Sequence, residues 1–89
     1  MFNVNLYREP HGLQDTVEVE VLKQEDERFL KRNRIQVDMI DKVFEIVLLA
    51  RFEDGREVLM SKGAMSVRDA FSALVASCRD LVIKPTVVH

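Results

Sequence analysis

One cysteine, two histidines, two prolines and three scattered glycines are all that this 89-residue chain holds of the residue types on which most catalysis and most special backbone depend. Each scarcity excludes something. With Cys78 alone, no internal disulfide and no cysteine-based zinc cluster can form, so stability falls to the apolar core and a reducing, cytoplasmic setting is expected. As a nucleophile Cys78 would need exposure and a cationic neighbour; its place in an apolar stripe predicts a buried small hydrophobe instead. His11, in a turn, and His89 lack the paired helical spacing of metalloenzymes. Gly12, Gly55 and Gly63 are too dispersed for a phosphate-cradling loop. No window approaches 18 apolar residues, and the opening "MFNVNLYREPHG" lacks a basic start followed by an apolar run, so neither a membrane helix nor a signal peptide is expected. Fifteen acidic against 13 basic side chains leave a net charge of −2, which supplies no global field to attract nucleic acid or an anionic membrane.

What is present is the composition of a packed domain: 47% hydrophobic and 31% charged residues, far from the disordered class. Residues 1–89 are read as a single small α+β domain. A chain of this size buries only ~60% of its unfolded surface and has little room for a deep cavity.

The hydrophobic pattern divides the chain. In "FNVNLY", Phe2, Val4 and Leu6 alternate with Asn3, Asn5 and Tyr7, the period-two signature of a strand with one buried face. "EPHG" reads as a turn. "DTVEVEVLK" sets Val17, Val19 and Val21 against Glu18 and Glu20, a second half-exposed strand able to form a hairpin with the first. Over residues 24–34, "QEDERFLKRNR", acidic residues precede basic ones and Glu27 stands four before Lys31, the order that suits a helix dipole. A short helix is expected there, with a long charged loop as the alternative. "RIQVDMIDKVFEIVLLARF" places Phe44, Ile46, Leu48, Ala50 and Phe52 on one face and Val43, Val47 and Leu49 on the other. That pattern predicts a central strand covered on both sides, with a bulge or bend at Asp41 and Lys42. Asp-Gly in "EDGR" predicts a two-residue type I′ hairpin turn. Beyond Gly63, Ser66 begins "SVRD", a capping-box variant. Val67, Phe71, Leu74, Cys78 and Leu81 then recur at helical spacing, an amphipathic helix over residues 67–81. "VIKPTVVH" is strand-like, but Pro85 confines it to an edge or a loosely docked extension.

The hairpin and capped helix over residues 43–82 are similar to several small α+β modules: double-stranded-RNA-binding domains, ribosome hibernation factors, the antitoxin partners of some mRNA-cleaving toxins, and certain phage-encoded inhibitors such as anti-CRISPR proteins. The RNA-binding families would bring a basic helix face. Here that helix carries only Arg68 and Arg79 against Asp69 and Asp80, and no family is assigned.

The expected fold is α+β: an antiparallel sheet of four to five strands, one amphipathic helix across one face, and a short charged helix between strands two and three. One helix covers one face, so the other needs cover from a second copy or a protein partner. No catalytic constellation stands out. Asp38 and Asp41, at odd spacing in a strand, point to opposite faces. The function expected is therefore a non-enzymatic protein-interaction module of the small regulator or inhibitor type, without a cofactor or metal. The candidate contact residues are the cationic cluster of Arg28, Lys31, Arg32 and Arg34 and the acidic strip of Glu18 and Glu20. The alternative is nucleic-acid binding, RNA above all, through Lys31, Arg32 and Arg34.

Overall fold

The computed structural model describes residues 2–9, 11–19 and 22–83. Its elements run β1 (Phe2–Arg8), β2 (Gly12–Val19), α1 (Gln24–Arg32), β3 (Gln36–Asp41), β4 (Ile46–Arg51), β5 (Glu57–Ser61) and α2 (Val67–Ile83). The five strands form one sheet in the order β2-β1-β3-β4-β5. Glu20, Pro10, Pro85 and His89 lie outside the described residues, as does the tail beyond Ile83. Val82 and Ile83, read above as the start of a strand, are the last residues of α2.

The sheet is mixed, which corrects the antiparallel expectation. β1 pairs antiparallel with β2 but parallel with β3, in the register Asn5↔Asp38 to Arg8↔Asp41, and β3, β4 and β5 then pair antiparallel. The physical reason is the length of α1. β2 ends at Val19, opposite Phe2, at the edge where β1 begins. Nine residues of helix span about 13.5 Å, enough to step sideways over the ~10 Å of two strand spacings but too little to add a return along the strands. The chain therefore re-enters at the end where it left, and β3 must run in the direction of β1.

Alternation sends Phe2, Val4, Val17, Val19, Val37, Met39, Leu48, Ala50, Val58 and Met60 to one face, where they pack with Phe29 and Leu30 of α1 and with Phe71, Leu74, Val75 and Cys78 of α2. Phe71, Leu74, Val75 and Cys78 are entirely removed from water, so truncating Phe71 to alanine is expected to cost about 3–5 kcal/mol. The two helices are clasped by Arg79 of α2. Its Nη2 donates to the Asp26 carboxylate at 3.2 Å and to the Glu25 carbonyl at 3.4 Å, while its guanidinium lies 4.5 Å from the Phe29 ring centre. α2 starts on a hydroxyl cap, the Asp69 N–H donating to Ser66 Oγ at 3.1 Å, an interaction of about 1 kcal/mol.

Two turns differ from their sequence reading. The bulge or bend expected at Asp41 and Lys42 is a full reversal just beyond them: Lys42 and Glu45 exchange backbone hydrogen bonds at 2.8 and 3.3 Å, which makes Val43 and Phe44 the central residues of a tight β3–β4 turn. The next hairpin closes with the Phe52 N–H donating to the Arg56 carbonyl at 2.9 Å and the Gly55 N–H to the Phe52 carbonyl at 3.0 Å. Among its loop residues only Gly55 has positive φ, 92°. A three-residue loop with a glycine at the bulge position therefore replaces the expected two-residue type I′ turn, which would need positive φ at Asp54 as well.

α1 ends in a Schellman arrangement, the Ile35 N–H donating to the Leu30 carbonyl at 3.0 Å and the Arg34 N–H to the Lys31 carbonyl at 3.2 Å. Arg34 occupies the left-handed position, φ 53°, where glycine is the usual residue because a Cβ is penalised there. Arg34→Gly is expected to raise stability by about 0.5–1 kcal/mol, less the greater freedom glycine gives the unfolded chain. Urea unfolding measures it; an equal or lower midpoint would show that the side chain contributes more than the backbone loses.

Candidate functional site

Both helices lie on one side of the sheet. The opposite face is built by the intervening residues of all five strands, and the pairing register fixes their neighbours. Leu13, Tyr7, Ile40, Val47 and Ser61 form one row across it, and Thr16, Asn5, Asp38, Leu49 and Leu59 the next. Gln36, Arg51 and Glu57 lie beside the second row on β3, β4 and β5. Among the described residues no element covers this face. Leu13 and Leu59 leave 58% and 66% of their surface in water.

At its centre lies a buried carboxylate. Asp38 is 1% exposed, accepts a hydrogen bond from Asn5 Nδ2 at 3.1 Å on Oδ1, and meets Arg51 Nη2 at 2.6 Å on Oδ2. The Oδ2 contact is one of charge, with no donor aligned on that oxygen as a hydrogen bond. Arg51 also pairs with Glu57 at 3.6 Å. The arginine is half-exposed, so its charge lies at the surface while the acid lies beneath it. Beside this group Tyr7, Glu9, Gly12, Asp38, Ile40 and Arg51 line an open hollow of about 270 Å³.

The end of the same face continues into the β3–β4 turn, where Val43 is 79% and Phe44 99% exposed. Sequence reasoning placed both inside a covered strand. The missed signal was the polar pair of Lys42 and Glu45, which brackets a two-residue turn.

The residues singled out from the sequence separate into two places. Glu18 sits on β2 paired with Asn3, on the uncovered face; Glu20 is outside the described residues. Arg28, Lys31, Arg32 and Arg34 are all exposed on α1 or just past it, on the helical side. Lys31 pairs with Glu27 at 3.0 Å and Arg34 with Glu53 at 3.5 Å. The cationic cluster and Glu18 are thus on opposite sides of the sheet and do not form one surface.

The ionisable groups offer little to covalent chemistry. Cys78 is buried, and desolvation pushes its thiol from an ordinary 9.0 up to about 11, the reverse of what a nucleophile needs. The Asp54 carboxyl lies below the usual range because the Arg56 backbone N–H and then its side chain hydrogen-bond to it, at 3.0 and 2.7 Å; this ties a turn together. Among the described residues no three His, Cys, Asp or Glu side chains could hold a metal ion, and no helix is long and apolar enough to cross a membrane. Comparison of the chain with protein-family models, with curated proteins and with solved structures gave no match. The fold and this face define a small α+β protein with one sheet surface that no element among the described residues covers.

Two outcomes are expected. Arg51→Leu leaves Asp38 buried without its cation and should cost about 1–3 kcal/mol, discounted from a fully buried pair because the guanidinium is half in water; thermal unfolding of R51L against D38N/R51L checks it, the double variant recovering part of the loss. For Cys78 the folded value lies above the unfolded one, so its contribution is complete below pH 9.0 and is lost as pH rises towards about 11. Unfolding free energies measured across that range should fall by roughly 2–3 kcal/mol more in the wild type than in Cys78→Ala. Parallel curves would show that the thiol ionises freely.

Proposed function

We propose that this protein is a non-enzymatic interaction module that binds another protein surface through its uncovered sheet face. The observation that supports this reading is a face carrying Tyr7, Leu13, Ile40, Leu49 and Leu59, with Val47 buried among its strand neighbours and no covering element among the described residues, on a sheet whose other face carries the core. Strands about 4.8 Å apart and some six residues long make a plate of roughly 24 by 20 Å. With side-chain relief such a plate approaches the ~800 Å² per partner of a standard interface. Its apolar side chains lie on either side of the Asp38–Arg51 pair, with Glu18, Thr16 and Glu57 on the two edge strands, a mixture of apolar and polar area that protein interfaces share. Catalysis finds no comparable support, since the single thiol is buried and its pKa raised. A regulator or inhibitor acts in this way, by occupying a surface.

The experiment pairs two variants against whatever protein the wild type binds as a purified component. Leu49→Glu/Leu59→Glu puts two carboxylates on the face and should weaken binding by at least about a hundredfold, as burying unpaired charge does, while circular dichroism stays native. Lys31→Glu/Arg32→Glu/Arg34→Glu, on the helical side, should leave it within about threefold. The reverse result would move the site to the cationic cluster. A mobility shift with RNA or DNA that falls by roughly one power of salt per contact and is lost only in the triple variant would replace the reading with nucleic-acid binding.

A further inference from the structure

Of this chain's five phenylalanines, Phe2, Phe29, Phe52 and Phe71 are 8% exposed or less, and Phe44 is 99% exposed. It stands with Val43 at the tip of a turn in which neither residue adopts positive φ. With no positive φ the backbone there accepts most residues, and a polar pair would remove apolar surface from water. Ile40, three residues before Val43, lies at the hollow of about 270 Å³ that Tyr7, Gly12, Glu9, Asp38 and Arg51 also bound. A cavity of about 150 Å³ accommodates a benzene ring, so a phenyl group fits. Nothing lies within 4 Å of where a Cβ on Gly12 would be, which leaves that wall open. Phe44 does not enter the hollow of its own chain, because it is almost wholly in solvent.

Resting on the interaction-module reading, we infer that the protein covering this face is a second copy of the chain, each copy inserting Phe44 into the other's Tyr7–Ile40–Arg51 hollow. Three features support that occupant over a foreign one. Knob and hollow match in size and lie at the same end of one molecule, so a twofold exchange uses both twice and closes without growing into a fibre. Each rim offers both signs to the other: Lys42 and Glu45 flank the knob, Glu9 and Arg51 the hollow, and neither Glu9 nor Lys42 has a side-chain ion pair among the described residues. The Arg51 guanidinium at the rim can lie over an aromatic ring, as Arg56 does over Phe52 at 4.9 Å and Arg79 over Phe29 at 4.5 Å within the monomer.

The test is sedimentation velocity from about 5 to 500 µM. Wild type should show a concentration-dependent dimer. Phe44→Ser should weaken it by at least about a hundredfold, since each dimer loses two anchors, with no fall in the thermal midpoint because the ring is outside the monomer's core. Tyr7 is the only tyrosine and there is no tryptophan, so tyrosine emission reports on the hollow directly: it should change on dilution of wild type and stay constant in Phe44→Ser. A wild type that is monomeric at 500 µM, or a Phe44→Ser variant that dimerises as well as wild type, overturns the inference. If the monomer still binds a different protein and Leu49→Glu/Leu59→Glu abolishes that binding, the interaction-module reading survives and only the second copy is removed as its occupant.

Discussion

A sheet has two faces, and this chain supplies helices to one of them. The constraint begins with α1, too short to travel along the strands and back, which crosses sideways from β2 to β3 and fixes β3 parallel to β1. Having crossed on that side, α1 meets α2 there, and the Arg79 clasp on Asp26 and Phe29 joins the two helices. The core is filled by one residue in two from every strand. Among the described residues no element packs over the alternate positions, where Asp38 and Val47 are buried among their strand neighbours and Leu13 and Leu59 stay in water.

The composition at these positions is divided. β1 and β2 bring Asn3, Asn5, Thr16 and Glu18 to the uncovered face beside Tyr7 and Leu13, whereas β3 and β4 bring Ile40, Val47 and Leu49 beside Gln36 and Arg51. Asp38 lies between the two groups, its acid joined to Asn5 on one side and Arg51 on the other. An ion pair so placed adds little stability compared with an apolar substitute of the same volume, and it interrupts what would otherwise be a continuous greasy plate. The cationic residues of α1 have a simpler account. Lys31 and Arg32 occupy the last turn, where positive charge opposes the negative end of the helix dipole, and Lys31 and Arg34 each have a carboxylate partner.

Local alternation was enough to read most of the fold. The period-two runs at Phe2–Val4–Leu6 and Val17–Val19 appear as β1 and β2, and an α+β architecture follows from strand-like and helix-like periods in one short chain. Parallel pairing was not legible, because it depends on the length of a crossover relative to strand spacing, a relation between elements and not within one. Val43 and Phe44 were misread for the opposite reason: their alternation continues in phase through the turn, so a periodicity test sees one strand where the backbone reverses. The uncovered face was legible as an excess of apolar residues over available cover. Its polar centre was not, since Asp38, Asn5 and Arg51 are 13 to 46 positions apart and meet only through register.

The chain's own turns show how unusual the β3–β4 tip is. The β4–β5 loop uses Glu53, Asp54 and Gly55, with glycine at the one position of positive φ and an aspartate tied back to Arg56. The approach to α2 uses Gly63, φ 53°, followed by a serine cap. Both follow the chemistry that turns demand. Between them and the sheet, the β3–β4 reversal places a branched aliphatic and an aromatic residue at the positions most exposed to water, with no backbone preference to favour either. Every other phenylalanine in the chain packs in the core. Among the described residues neither the turn nor the core packs against Phe44, which stands in water at the end of the molecule where the uncovered face begins.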